Sequence, residues 1–489
     1  MWAVCLLGAC SAPEEGGAQP PRAAPAEGAL QDPAYTPEPP PAAKSDPTPP
    51  APVEEALEGV HEGSLEEREA EELREAAREA APPGEYAPPT AEEGAGEYHT
   101  PLAGERLETE VFGRPIVVEE RDRRSLLALS LGAVTFTPNV AGTTMLPYGS
   151  FLGLYRKAPH HLRAQMAGLY NQIDYDYSFD GPLAMARFQN DTIPFPSEEV
   201  IDGRSIEESS LLWGTVSTWL GVGYRWRISP YNVDNDVRVG LYYHVGYQYH
   251  DRSDDTPDAV RIPTDTFFHG LRLRIRLDSF QRNIMELPHL GWAAGGDVEL
   301  TRRDRWRDYD SPARGITVRG DDTRDYIKLS AYLVAALPVP LLSERHRLVP
   351  TVHAGWAPYG DLDRFSAFQV GGGPLVSESY DLARNPIPGA LFNQFPLDRY
   401  LITSLEYRLE VLFFFYVHLR ATYVLGRVAS LRGGGDLQDV EGVTLSTAVT
   451  TGFLWRSQLY VEYSYDVKGV LRGGDEQGHT VLLMWSKSF

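Results

Sequence analysis

From about Arg124 to Phe489 the chain repeats with a period of two. Val237, Val239, Leu241, Tyr243, Val245, Tyr247 and Tyr249 alternate with Arg238, Gly240, Tyr242, His244, Gly246, Gln248 and His250. Leu271, Leu273, Ile275 and Leu277 alternate with Arg272, Arg274, Arg276 and Asp278. The same rhythm places Leu405, Tyr407 and Leu409 opposite Glu406, Arg408 and Glu410, and Val417, Leu419 and Ala421 opposite His418, Arg420 and Thr422. Near the end, Leu459, Val461 and Tyr463 alternate with Tyr460, Glu462 and Ser464. Side chains of a strand point to opposite faces in turn, so each segment predicts a strand with one apolar and one polar face.

A soluble sandwich alternates too. Two features favour a membrane. The segments run to about 9–13 residues, as a tilted strand needs to cross hydrocarbon, whereas soluble strands average about 5–6. No segment of helical period is available to cover the apolar faces, which leaves lipid to do so. About fourteen segments are counted, in a range of about twelve to sixteen, the even numbers usual for such barrels. Their centres lie near Leu129, Leu152, Met166, Val216, Tyr243, Leu273, Gly295, Leu329, Val352, Leu405, Leu419, Thr447, Val461 and Leu483. Polar inserts are read at Gly181 to Glu207, Asp251 to Asp265, Arg303 to Asp325 and Gly360 to Arg399, with shorter links such as Arg156 to His160. Long loops at one end and short turns at the other suit an antiparallel transmembrane β-barrel over residues 123–489. The expected fold class is therefore all-β.

Composition divides the chain in the same place. Residues 1–120 hold 26 acidic and 7 basic residues, leaving 42 and 38 to the rest, and they hold 19 of the 38 prolines. Residues 11–122 read as a disordered Pro/Ala/Glu-rich linker, too poor in apolar surface to offset its ordering entropy. Within it, Ser64 to Ala81 is rich in helix formers, and Ser64 with Glu67 makes a capping-box pattern. That helix is expected to be solvated, with partner docking as the sharper alternative. The two cysteines, Cys5 and Cys10, both precede the linker, so no disulfide supports the barrel. Leu7-Gly8-Ala9-Cys10 resembles the lipobox of bacterial lipoproteins. The resemblance implies that residues 1–10 are a signal segment and that the Cys10 thiol is acylated. The short, uncharged stretch before it also fits an incidental cysteine.

At the other end, Val481, Leu483, Trp485 and Phe489 share one face, interrupted by Lys487, whose ammonium can snorkel to water. A terminal Phe on an alternating strand resembles the barrel-assembly signal of bacterial outer-membrane proteins. A second resemblance lies in Asp363-Arg-Phe365-Ser-Ala-Phe-Gln-Val-Gly371-Gly372-Gly373-Pro-Leu-Val-Ser-Glu378-Ser-Tyr380. It resembles the inward-folded loop of the BamA/TamA-type outer-membrane assembly barrels, the surface-antigen superfamily that includes barrels fused to patatin-like lipases. Gly372 and Gly373 match the family's Gly pair and Tyr380 its aromatic, and Tyr400 to Leu409 is similar to the strand that follows. The family's Arg falls on Glu378 and its Gly on Ser379, which reverses the charge that pairs with acidic groups inside the barrel. The resemblance implies a lumen loop built on Phe365, Gly371, Gly372, Gly373, Glu378 and Tyr380. It also implies a role in inserting or translocating other polypeptides, with outer-membrane lipid, the barrel-assembly machinery and other outer-membrane or periplasmic proteins as partners. No strand–helix repeats for substrate-binding domains and no lipase elbow accompany it.

Among candidate chemistry, Arg225, Arg227, Arg272, Arg274, Arg276, Arg408 and Arg420 are predicted to point inward with Glu406, Glu410, Glu462 and Asp466. Mixed signs favour ion pairs that fill the lumen, and a selective pore lining is the alternative. The row Arg272, Arg274 and Arg276 could attract anions if no counter-charge meets it. His160-His161 sits at a turn. His244, His250, His269, His353 and His418 are spaced to suit a wet lumen face better than a rim hydrolase. No cofactor or metal motif is found. An acidic chain without a basic stripe argues against nucleic acid. The chain is thus expected to be non-enzymatic, with a passive pore or a barrel-rim hydrolase as the alternatives.

Overall fold

The computed structural model describes residues 107–489. It excludes 112–113, 119–124, 141–142, 169, 202–203, 229–234, 281–286, 344, 373–380, 385, 413–414, 429–438, 452–455 and 468–476. The lipobox with Cys10 and the acidic helix near 64–81 lie outside the described residues, as do Gly373, Glu378 and Tyr380 of the lumen loop.

Sixteen antiparallel strands close into a barrel. They are β1 (Ser125–Val140), β2 (Thr143–Lys157), β3 (His160–Met166), β4 (Tyr170–Ser178), β5 (Pro182–Ile201), β6 (Arg204–Arg227), β7 (Asp236–Arg252) and β8 (Thr266–Asp278). The circuit continues through β9 (Gly291–Arg303), β10 (Asp325–Pro338), β11 (His346–Tyr359), β12 (Phe395–Leu412), β13 (Phe415–Val428), β14 (Asp439–Thr451), β15 (Ser457–Asp466) and β16 (Gly478–Ser488). Each strand pairs with the next, and β16 pairs with β1 from His479↔Thr137 to Ser488↔Ala128. This seam removes the two free edges, whose unpaired N–H and C=O groups could not stand in hydrocarbon. A separate hairpin, Leu107–Val111 with Arg114–Val118, precedes the barrel inside the stretch assigned to the linker.

The apolar face of the alternating pattern points outward. Leu220, Val222, Leu241, Leu271, Leu405, Leu419, Leu445 and Leu483 are all exposed on it. Among the described residues no helix is long and apolar enough to cross a membrane. Exposed aromatics gather towards the strand ends. Tyr155, Tyr224, Trp226, Trp292 and Trp485 lie towards the end that carries Ser125 and Phe489, here the proximal end, and Tyr247, Phe267, Trp356, Tyr359 and Tyr463 lie towards the distal end. Two such girdles mark the interfaces of a membrane band. Trp485 and Phe489 both face outward, and the Phe489 N–H donates to the Leu127 carbonyl across the seam.

The sequence count of about fourteen falls two short of sixteen. The reading of Gly181 to Glu207 as a polar insert is corrected: most of that stretch belongs to β5 and to the start of β6. β4 was missed with it. The lower half of β5 carries Leu183 and Met185 inward and Phe188 outward, so its apolar residues fall on both faces. Its upper half mixes Ile193, Phe195, Val200 and Ile201 with Pro194, Pro196, Ser197, Glu198 and Glu199, which breaks the alternation, and the start of β6 is polar. At 20 and 24 residues these strands outreach the membrane, and a hairpin in water needs no apolar face. The other three inserts are distal connections, 253–265, 304–324 and 360–394.

An outward Leu419→Arg substitution is expected to destabilise the barrel by about 2–4 kcal/mol, the cost of a cation near the bilayer midplane. Denaturant titration in phospholipid vesicles measures it. A change within about 0.5 kcal/mol, as for an ordinary exposed site in water, would mean that lipid does not cover this face.

Candidate functional site: the occupied lumen

Strand alternation sends the polar residues of each strand inward, where they pair across neighbouring strands. Asp297 on β9 meets three guanidiniums of β8, Arg272 at 2.7 Å, Arg274 at 3.1 Å and Arg276 at 2.9 Å. Glu299 adds contacts to Arg272 at 3.1 Å and Lys328 at 3.3 Å. Arg272 and Arg187 also lie against the Trp219 ring, at 4.7 and 5.0 Å from its centroid. The arginine row is therefore met by counter-charge and does not stand open as an anion filter.

A second cluster joins β12, β13 and β15. Glu406 binds Arg408 at 2.7 Å, His418 at 2.9 Å and Arg420 at 2.5 Å. Glu462 accepts hydrogen bonds from Ser464 at 2.9 Å and from Tyr460, with Arg420 3.8 Å away. His418 links Glu406 to the Thr450 hydroxyl, 2.8 Å from its Nε2. This hydroxyl–imidazole–carboxylate relay was not visible in the sequence, because register alone brings Thr450 and His418 together. Thr450 is buried and two further guanidiniums hold Glu406, so the relay serves the wall. Arg225 pairs with Asp236, while Arg227 is exposed at the proximal rim. His244 meets Thr301, His353 meets the lumen loop, and His269 faces outward towards Tyr243 and Asp304. Among the described residues no group of three or more His, Cys, Asp or Glu could hold a metal ion.

The connection 360–394 turns into this interior. Its first anchor is Asp363, fully buried, which accepts from both Nη atoms of Arg303 on β9 at 2.6 and 3.0 Å. Asp363 also accepts the N–H groups of Phe365 and Ser366, at 3.1 and 2.9 Å. Burial alone would raise the Asp363 carboxyl; the Arg303 guanidinium and the hydrogen bonds outweigh it and hold the group below the usual carboxylate range. The second anchor is Phe365. Its ring sits edge-on to Trp213 at 5.3 Å and His250 at 4.7 Å, beside Trp306 and Tyr309. Arg364 donates to the Ser209 carbonyl at 2.9 Å.

Past these anchors, Phe368–Val370 pairs with the start of β12. Gly371 and Gly372 then pass the returning chain at close range. A Cβ on Gly372 would lie 2.0 Å from the Ala390 carbonyl oxygen, and one on Gly371 2.3 Å from that of Leu391. Only glycine allows that approach. The return arm contacts walls far apart in the barrel. The Leu382 carbonyl is 3.0 Å from His353 Nε2 on β11, Arg384 lies 4.9 Å from the Tyr170 ring on β4, and the Gly389 carbonyl accepts from Thr480 on β16 at 3.4 Å. Asp381 is half-buried, and the desolvation that would raise its carboxyl is outweighed by Arg163, Arg276, Arg274 and Arg187, which hold it below the usual range. Those four guanidiniums come from β3, β8 and β5.

Comparisons with known proteins yield structures alone: no family model and no curated protein matches the chain. BamA from Haemophilus ducreyi lacking POTRA domains 1–3 is similar at 11% identity, covering 79% of this chain and 75% of that one, with a TM-score of 0.43. CdiB from Acinetobacter baumannii is 12% identical over 79% of this chain and 66% of that one, TM-score 0.44. CdiB from Escherichia coli is 13% identical over 80% and 68%, TM-score 0.45. The functional reading rests on this chain's own geometry.

Asp363→Ala is expected to loosen the loop at its first anchor. Removing one partner of a buried ion pair costs about 3–5 kcal/mol, so hydrogen exchange at the Phe365 and Ser366 amides should accelerate at least a hundredfold. Acid should do the same. A carboxyl held below its ordinary value of about 3.9 contributes its stabilisation above that value and loses it as pH falls through the depressed one. Unchanged exchange in the variant would contradict the anchor.

Proposed function

We propose that this chain is a bacterial outer-membrane barrel of the assembly and translocation kind, non-enzymatic, whose lumen is occupied at rest by its own inward loop. The observation that carries the reading is the loop's span, from Arg303 on β9 to His353 on β11 and Thr480 on β16. A passive pore needs an open, steady lumen. Here the inward charges are paired with each other, and the loop's carbonyl and carboxylate groups take part in the pairing. A loop held by a buried ion pair, an aromatic ring and the contacts of its return arm would have to release them for another polypeptide to enter. That suits a barrel that must rearrange to handle other polypeptides.

On this reading the outward aromatic face ending at Trp485 and Phe489 is what the barrel-assembly machinery engages during insertion. Residues 11–122 act as a tether at the membrane surface, anchored through Cys10 if that thiol is acylated.

The test is reconstitution into liposomes. The protein should speed the insertion of an unfolded outer-membrane barrel several-fold over empty vesicles. Equal rates would overturn the assembly reading. In planar bilayers its conductance should be small and erratic, and Asp363→Ala should give larger, longer openings. A large and steady conductance in the unaltered protein would mark a pore instead.

A further inference from the structure

Both described ends of the connection between β8 and β9, at the proximal end, pack against inward residues of the barrel. Phe280 is fully buried, in one apolar cluster with Tyr332, Val349 and Leu382 of the lumen loop. On the returning side, two arginines hold consecutive carbonyls. Arg347 Nε donates to the His289 carbonyl at 2.9 Å, and Arg408 Nη1 donates to the Pro288 carbonyl at 2.8 Å. Arg347 Nη2 lies 2.8 Å from the His289 ring as well. These arginines stand at the proximal ends of β11 and β12, two and three strands beyond β9, so Pro288 and His289 lie against the inner wall beside them.

Arg347 and Arg408 are paired directly across the two strands. Like charges placed opposite each other in a sheet repel, and both are buried. Glu406 binds Arg408 at 2.7 Å, and Arg347 gives its Nη1 to the His346 carbonyl at 3.2 Å. Arg408 Nη1 and Arg347 Nε are met by the backbone oxygens of Pro288 and His289, and Arg347 Nη2 by the His289 ring. A guanidinium fork suits such acceptors whatever the side chains beside them.

We infer that Arg347 and Arg408 form a binding site for an extended polypeptide backbone, filled at rest by the chain's own Pro288–His289 segment. The inference rests on the translocation reading and deepens it: the ligand class is peptide carbonyls, and the resident segment must leave before another enters. The ring of His289 marks it as a resident rather than an incoming chain. Burial, then Arg347 and Arg408, lower its pKa to about 3, so it stays neutral between the two cations.

The full chain in detergent tests this, with a fluorescein-labelled peptide of residues 286–292 as probe. Phe280→Ala combined with His289→Ala should free the site and bind the probe at least tenfold more tightly than the unaltered protein. Adding Arg347→Gln and Arg408→Gln should abolish the gain. Equal binding by all three proteins would overturn the inference. A second measurement avoids reliance on a variant that may not fold: in Leu287→Cys, excess unlabelled probe should raise maleimide labelling several-fold, and no change would likewise overturn it. Because binding is read without any insertion assay, a negative liposome result with positive probe binding would sink the translocation role alone, and the reverse would sink this site alone.

Discussion

Closure of the sheet creates the constraint on which the rest of the molecule depends. Once β16 pairs with β1, the sheet has no free edge strand and the outer face can be apolar. The polar face is then trapped inside, and its charges need partners there. A guanidinium in such an interior is costly alone and tolerable only with a carboxylate and further hydrogen bonds in place. Asp297 among three arginines and Glu406 between Arg408 and Arg420 are that solution at the wall. Asp363 and Asp381 extend it to the loop, so the charges that fill the barrel also hold its occupant.

The two incoming segments follow the same chemistry from opposite ends. The distal loop brings carboxylates to arginines of the wall. The proximal connection brings main-chain carbonyls. They share one apolar cluster through Leu382 and Phe280. Through that cluster the described residues of the two segments are packed against each other.

Much of the wall was legible in the sequence, because a period of two needs no knowledge of neighbours. Leu271 to Asp278 and Leu459 to Asp466 could be assigned inner and outer faces from alternation alone. β4 and β5 were not legible: Ile173 and Tyr175 face out over barely nine residues, and the upper half of β5 mixes apolar residues and prolines with acids, so no alternation runs through it. The inward arginines were visible, whereas their partners were not, since Asp297 meets Arg272 only through the β8–β9 register. The close approach of Gly371 and Gly372 to Leu391 and Ala390 was not read from the sequence, where Gly372 and Gly373 stood only as a family resemblance. Asp363 carried no signal, because an acid in a loop reads as solvated until its buried partner, sixty residues away, is known.

The inward course of the 360–394 connection is tested most directly by distance. With Cys5 and Cys10 replaced by Ala, cysteines at Leu382 and His353 should be joined rapidly and almost completely by a short bifunctional thiol reagent in the membrane-inserted protein, since the Leu382 carbonyl lies 3.0 Å from the His353 ring. Free reaction of both thiols without cross-linking would place the loop outside the barrel and contradict the account.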